Sequence, residues 1–579
     1  MFPDDQPLEV LHTQLGIRPA QRRKRLFVPD LPEARSIFGN PLFTVFEQND
    51  LSKYNLNAPE QLDNRYIGNL ERVHSDFGPW LVGDFGHIAA PGVYQAYCGN
   101  TPGPSFAIRD DVYVRVIPEC LRYFQVQACG RNVPGWHDTC HLDDGYIVEE
   151  DRYVDAAGGW HDAGDFRKWA TSTAMIPIAL LVGHRLWTGR EEQLGIAPGA
   201  MLREARHGVD YFLNIQQPDG RLLHNIGGGR ETFHDNLDCR FTDNVPRSGD
   251  ERRIWAELKA NPPGKFTTLF ALYANALADP DDPDADPEVA ARCLDAARRS
   301  AAVDAEGDGL AVDELQWRAW GELELWRATA DDAHRDAGVD ALNRMIQCQV
   351  VDYIGGQSIT RGFFRAAPQS DQFHRKHIGA DYAIWTLAQF IEALPDHPDA
   401  ARWRDAVAMW YEDFFRVFAE RNPFGLPPYG LYEAPPDDRG ADQYRRLGDG
   451  LCFRYFMRGR RLGSNARLNL AAAALAAAAK ALDQSQCLDH AYPLLEWTLG
   501  ANPFQLSMMN GVGVRQPSAL AFQTGNIPGG VTLGIAGDEL DMPWYPHPFA
   551  CCDEYYGYQT AHFLWALLAL QDLDWNSTP

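Results

Sequence analysis

In the stretch Gly158-Gly159-Trp160-His161-Asp162-Ala163-Gly164-Asp165, two carboxylates sit three residues apart in a turn of small residues, directly after a histidine. The glycines permit a sharp bend and let a ligand approach the backbone closely. Two acids presented to one side can hold a water between them, Asp165 acting as general base and Asp162 orienting the water, or the reverse. The same residues also read as a solvated acidic loop, or as an N-cap for a helix beginning near Phe166. A third acid is Glu554, in Cys551-Cys552-Asp553-Glu554-Tyr555-Tyr556 at the head of the last predicted helix. A carboxyl among Tyr555, Tyr556 and Phe549 is poorly solvated, which raises its pKa and suits a general acid. A helix-terminal glutamate favoured by the macrodipole is the competing reading.

Cys129, Cys140, His141 and His161 place two thiols and two imidazoles within 33 positions, a donor set for a structural zinc ion. The spacing is Cys-x10-Cys-His-x19-His, which is not a zinc-finger pattern, and His137 is a rival ligand. Core cysteines unrelated to loop histidines would give the same count. Because His161 adjoins Asp162, a metal there would fix the acidic turn rather than perform chemistry.

The elements that must position these groups change period along the chain. Up to about residue 108, short apolar or alternating runs (8–11, 25–28, 42–46) are separated by Pro, Gly, Asn and Asp. Pro91-Gly92-Val93-Tyr94 reads as a turn entering a last strand, so an immunoglobulin-like β-sandwich is expected. From Asp110 onward the period is helical, with Val112, Val116, Cys120 and Phe124 on one face. Amphipathic segments follow near 175–187, 202–213, 266–277, 289–301, 313–330, 335–348, 380–394, 400–420, 466–483, 488–499 and 557–571. About a dozen helices in antiparallel pairs can close into an (α/α)6 barrel, which would bring the first and last parts of the region together. The expected division is a sandwich over 1–108 and a barrel over 109–579.

A net charge of −26 opposes binding to phosphate backbones and anionic membranes, and no run is long and apolar enough to span a bilayer. Nucleic-acid and membrane partners are therefore not expected. Part of the charge lies in the loop 279–287, read as a solvated linker. Sixteen Trp and 22 Tyr exceed what a core needs, and flat ligands such as sugars are one use for them. Eleven scattered cysteines and an N-terminus without a basic and apolar leader point to the cytoplasm. Acidic loops alone do not identify a calcium site.

The 158–165 stretch followed by Phe166-Arg167-Lys168-Trp169 resembles the signature of glycoside hydrolase family 9, the inverting β-1,4-glucanases. Asp84-Phe85-Gly86-His87, Gln127-Ala128-Cys129-Gly130 and Thr139-Cys140-His141-Leu142-Asp143 are similar to the subgroup with an N-terminal immunoglobulin-like domain and a zinc-binding segment. The likeness runs on through Leu499-Gly500-Ala501-Asn502-Pro503 to Asp553-Glu554. It implies an (α/α)6 barrel with an open cleft, Asp165 as base, Asp162 as its partner on the water, Glu554 as acid, and zinc on Cys129, Cys140, His141 and His161.

Two departures bear on substrate. Residues 511–517 lead into Ser518-Ala519-Leu520-Ala521-Phe522 without the family's histidine pair, and the usual asparagine before the acid is Asp553. The expectation is an exo-acting enzyme on short oligosaccharides, glucan or glucosamine, inside the cell. The alternatives are a secreted-type endo-β-1,4-glucanase, a non-catalytic carbohydrate-binding relative, and a lyase using Tyr555, Tyr556 and the His374/His377 cluster. The polar loop 365–377 is read as surface, and Cys551 and Cys552 as two buried thiols.

Overall fold

The structure is a computed structural model; it describes residues 8–31, 34, 41–48, 65–227, 242–255, 262–278, 283–303, 311–354, 359–368, 370, 381–433, 443–448, 450–457, 462–518, 525–545 and 550–576. The N-terminal part is built from β1 (Arg25–Pro29), β2 (Leu42–Glu47), β3 (Arg65–Asn69), β4 (Glu71–Ser75), β5 (Gly78–Asp84), β6 (Gly92–Cys98) and β7 (Thr101–Ile108). They form two antiparallel sheets, β1-β5-β4 and β3-β2-β6-β7. Alternate residues of both sheets (Leu26, Val28 and Leu81 with Phe43, Val45 and Phe106) share one buried cluster, giving the expected β-sandwich. Two local expectations change. Residues 8–11 contribute a single bridge, Leu11 to Phe27, rather than a strand. The strand entered at Gly92 is not the last, because the chain turns at Gly99 (φ +57°) and returns as β7. With the last strand ending at Ile108 and the first α-helix starting at Ile117, we propose the boundary at 108/109.

The helices are α1 (Ile117–Gln127), α2 (Ala170–Thr173), α3 (Met175–Trp187), α4 (Ala200–Ile215), α5 (Pro263–Ala276), α6 (Pro287–Ala301), α7 (Val312–Thr329) and α8 (Asp332–Gln347). They continue as α9 (Asp381–Ala393), α10 (Ala400–Met409), α11 (Arg416–Ala419), α12 (Asn465–Leu482), α13 (Leu488–Thr498), α14 (Ala550–Asp553) and α15 (Gly557–Asn576). Successive contacts run α3 to α5, α7, α9, α12 and α15, and α15 packs back on α3, so six helices close a ring. A second set pairs with it from outside: α4 on α3, α6 on α5, α8 on α7, α10 on α9, α13 on α12 and α1 on α15. This is the (α/α)6 barrel.

Sequence explains which helices go where. The α12 helix is buried without a break from Asn465 to Ala479, and its run of alanines lets neighbours approach on every side. By contrast α4 buries only one stripe, including Leu202, Ala205, Val209 and Phe212, and turns Arg203 outward. Half of the sixteen tryptophans are core: Trp80, Trp160, Trp187, Trp320, Trp403, Trp410, Trp497 and Trp565 are fully buried. The sandwich docks on the barrel through buried polar groups, among them Gln21 Nε2 donating to Glu496 Oε1 at 2.8 Å. Among the described residues no helix is long and apolar enough to cross a membrane.

Candidate functional site

Residues 158–165 form an irregular turn whose shape is set by what packs beneath it. Gly158 and Gly159 take φ of +86° and +69°, and a Cβ on Gly159 would meet the Tyr211 ring at 2.9 Å. The α4 helix holds the turn from below: His207 Nε2 contacts the Gly159 carbonyl at 2.7 Å and Trp160 Nε1 donates to Glu204 Oε1 at 3.2 Å. Gly208 makes room for the Trp160 indole, since a Cβ there would lie 2.0 Å from it. The N-cap alternative does not hold. The next helix starts only at Ala170, and Asp165 Oδ1 instead accepts the Arg167 N–H at 3.3 Å.

Phe166 adopts a left-handed φ of +62°. A non-glycine residue pays about 1–2 kcal/mol for that conformation. Its carbonyl is compensated by the buried Arg252 Nη1, which donates to it at 2.5 Å. Arg252 also binds Asp144 through Nε and Nη2 at 2.7 and 2.6 Å, and Lys168 Nζ reaches the same carboxylate at 2.6 Å. Burial alone would raise the Asp144 pKa, but the two cations hold it well below the usual carboxylate range. Arg167 and Lys168 follow the motif directly, whereas nothing in the sequence marked Arg252 or Asp144.

Closure of the ring brings Glu554 to this turn. Gly164 N–H donates to Glu554 Oε1 at 3.3 Å, across 390 positions of sequence. Gly557 N–H, at the start of α15, donates to the Asp162 carbonyl at 2.7 Å. Glu554 is 7% exposed; burial first and then the Asp165 charge push its pKa up to about 8, against the hydrogen bonds from Tyr556 OH (3.2 Å) and Gly164. Asp162 is 3% exposed, and burial followed by the charges of Asp165 and Glu554 raises its pKa well above the usual range. Its Oδ1 has no hydrogen-bond partner among the described residues. Asp165 is the most open of the three, with a side chain 24% exposed and the Arg167 Nε 3.5 Å away. Burial raises its pKa too, and Arg167 opposes that. Tyr555 is fully buried against Tyr123, Tyr556 faces the acid, and Phe549 lies outside the described residues.

The four sulfur and nitrogen ligand candidates also meet. Cys129, Cys140, His141 and His161 each offer one donor atom, all within 4.8 Å of one another. The backbone makes the cluster: Cys129 N–H donates to Gly159 O at 2.8 Å and His161 N–H to Gln127 O at 2.9 Å, pairing the end of α1 with the acidic turn. Cys129 Sγ lies 3.8 Å from His141 Nδ1, and Cys140 Sγ lies 3.7 Å from His161 Nε2. His137 is not in the group; its ring nitrogens face the carbonyls of Asp138 and Val126 at 2.8 and 2.9 Å. The cluster has the composition and compactness of a Cys2His2 metal site.

Beside the acids lies a cleft of about 520 Å³ lined by Lys265, Asp313, Trp317, Tyr382, Tyr556 and Tyr558, among others. Tyr556 thus joins the cleft wall to Glu554. Residues 511–517 do not line this cleft; Gln14 Oε1 accepts the Val514 and Arg515 N–H groups at 2.8 and 3.0 Å and ties the segment to the N-terminal region. Residues 519–522 and the pair His374 and His377 lie outside the described residues, as do 279–282 of the acidic loop. Cys552 is buried, and the Cys551 side chain is not among those described.

A family model described as "Glycosyl hydrolase family 9" matches residues 113–528. A cellodextrinase of Butyrivibrio fibrisolvens is 25% identical over 199 residues, 31% of this chain and 36% of that protein. Endoglucanase D of Acetivibrio thermocellus is 22% identical over 348 residues, 53% of this chain and 51% of the relative. The chain therefore spans about half or less of the length of these curated relatives. Among solved structures, a metagenome-derived glycoside hydrolase family 9 endoglucanase shares the fold with a TM-score of 0.69 at 20% identity, over 98% of this chain and 99% of the other.

Proposed function

The chain belongs to glycosyl hydrolase family 9, and from that premise we propose that it cleaves β-1,4-linked glucan or glucosamine oligosaccharides with inversion, exo-acting on short soluble chains. The observation that carries this reading is the meeting of Glu554 with the 162–165 turn across the closed barrel. Glu554, at about 8, holds its proton at neutral pH and serves as the general acid. Asp165, the most open of the three and beside Arg167, is the first to ionise and serves as base. Asp162 orients the water. In one displacement the water oxygen bonds to the anomeric carbon and its proton passes to Asp165, while the glycosidic C–O bond breaks and the leaving oxygen takes the Glu554 proton.

Three carboxyls crowded in a poorly solvated site are costly to keep, which favours this reading over a non-catalytic sugar-binding protein. For the lyase alternative, the burial of Tyr555 removes one of its acid–base candidates from solvent. Endo action is the second reading, and the name of the Acetivibrio relative is what favours it. For the short aminosugar, the support is that Asp313 places a carboxylate in the cleft wall. The cytoplasmic setting is part of the proposal, and cell fractionation tests it.

We assign zinc to Cys129, Cys140, His141 and His161. Zinc–sulfur and zinc–nitrogen bonds of about 2.3 and 2.0–2.1 Å at tetrahedral angles put neighbouring donors about 3.6 Å apart, and the two S···N separations are 3.8 and 3.7 Å. The ion would have a structural role, holding the backbone that carries Asp162.

The test is purified protein against cello-, chito- and glucosamine oligosaccharides, with proton NMR of the first anomer released. The expected product is the α-anomer, shortened from one chain end. A first-formed β-anomer would sink the two-carboxylate assignment, and random internal cleavage would transfer the chain to the endo reading.

A further inference from the structure

The sheet β1-β5-β4 turns one face to the barrel, and the two ends of that face differ in character. At one end Phe27 and Trp80 pack on Phe424 of the barrel, with ring centroids 4.7 and 5.1 Å apart. At the other end Arg25 of β1 stands directly opposite Asp84 of β5, and Glu71 opens β4. Arg23, two residues before Arg25, shares its side of the extended chain. Over this polar end lies a cavity of about 700 Å³, lined on the barrel side by residues between 419 and 425 and by His490 of α13. None of its lining is shared with the cleft beside the acids.

The charged groups facing this cavity do not satisfy one another. Among the described residues, neither guanidinium of Arg23 and Arg25 nor the Glu71 carboxylate has a hydrogen bond or an ion pair. Asp84 sits across the ladder from Arg25, yet its Oδ1 accepts the Gly86 N–H at 2.7 Å instead. The other two carboxylates of the lining have cations of their own: Arg22 lies 2.9 Å from Asp489, and Arg416 lies 3.9 Å from Glu420. His490 is 5% exposed, and burial followed by the charges of Arg23, Arg25 and Arg416 pushes its pKa down to about 4, so the ring is neutral at pH 7. What remains is two guanidiniums against two carboxylates, facing one space without meeting.

We infer that this cavity is a non-catalytic binding site for a neutral short saccharide, held between the sandwich and the barrel. An anion there would meet Glu71 and Asp84, and a cation would meet Arg23 and Arg25, so neither sign of charge is favoured. A hydroxyl serves both kinds of group, because it donates to a carboxylate and accepts from a guanidinium. Neighbouring hydroxyls of a sugar ring do so side by side. Tyr66 also lines the cavity and offers an aromatic face to the apolar face of a pyranose. The volume falls in the range of small-molecule sites. Because both parts of the protein supply the lining, a bound sugar would fasten the sandwich to the barrel. The inference does not depend on what the acids cleave.

The test uses the full chain and S-linked cellobiose, whose thioglycosidic bond resists hydrolysis, in equilibrium dialysis with the melting temperature followed in parallel. The double variant Arg23→Ala/Glu71→Ala removes no hydrogen bond or ion pair of the fold. Relative to the wild type it should lose one equivalent of bound sugar, weakened at least tenfold, together with the rise in melting temperature that this equivalent brings, while kcat/KM is unchanged. The single variants Arg23→Ala and Arg25→Met should each show a smaller loss, so the result does not rest on the folding of one protein. An equivalent that persists in the double variant belongs to the cleft. A wild type that binds a single equivalent, lost in the double variant, would support this site even if the cleft reading fails. Equal binding by wild type and double variant, or displacement of this equivalent by millimolar inorganic phosphate, would overturn the inference.

Discussion

His161 and Asp162 are adjacent in the chain and serve two clusters built in opposite ways. The group around His161 is assembled from 33 consecutive positions and is held by backbone pairing of 127–129 with 159–161. The group around Asp162 is incomplete until Glu554 arrives from the far end of the barrel. The first is made of soft donors that a metal ion can satisfy. The second keeps three carboxyls of unequal burial together, and that inequality is what separates an acid from a base. One turn therefore links a locally determined anchor to a site that only ring closure completes.

The sharpest way to break this contrast is to remove the long-range partner. Asp165→Asn and Glu554→Gln should each lower kcat by about 10²–10⁴-fold, with circular dichroism and zinc content unchanged. Near-normal turnover in either variant would strip that residue of its role. Next comes the local anchor. Cys140→Ser should release the metal, read by elemental analysis, and by loosening the turn should reduce kcat by up to about 10²-fold. If the metal is lost and kcat holds, the two clusters are independent.

The smallest effect lies in the pH profile. As the proposed acid, Glu554 must be protonated, so kcat/KM should fall as pH rises through about 8. It should also fall on the acid side as Asp165 takes up a proton, at a pH above the usual carboxylate value because burial raises its pKa. Tyr556 OH stabilises the ionised form of Glu554, so Tyr556→Phe should move the alkaline limb upward. One hydrogen bond to a charged group, ~1.5 kcal/mol, corresponds to about one pH unit. An alkaline limb that stays put in this variant would assign it to another group. Stability runs with the same sign: a folded-state pKa raised above 4.5 stabilises below that value, and the contribution is lost as pH rises through about 8.

Much of this was legible beforehand. Period-2 runs gave way to period 3.6 near residue 110, and most predicted helices lie within a few residues of their observed ends. The misses have physical causes. Residues 8–11 have strand-like composition, yet pairing with a neighbouring strand decides what they become, and they make one bridge. The cap reading of Asp165 failed because the left-handed Phe166 and the strand pair 168–169 postpone the helix to Ala170. Arg252 could not be found from the sequence, since an arginine beside Arg253 at the end of a loop carries no period or spacing that singles it out. Many of the tryptophans read as surplus are packing, while Trp317, Tyr382, Tyr556 and Tyr558 line the cleft.

By itself the sequence determined the chemistry of the parts: paired carboxylates in a glycine turn, two thiols and two imidazoles at short range, and helices with one apolar face or with several. Those properties depend on residue type and near-neighbour spacing, which the chain carries directly. Only the tertiary structure decided that α15 returns to α3 and that Gly164 offers its N–H to Glu554. Desolvation and charge–charge coupling act through space. The pKa order on which the proposed roles of Glu554 and Asp165 rest exists only once the ring has closed.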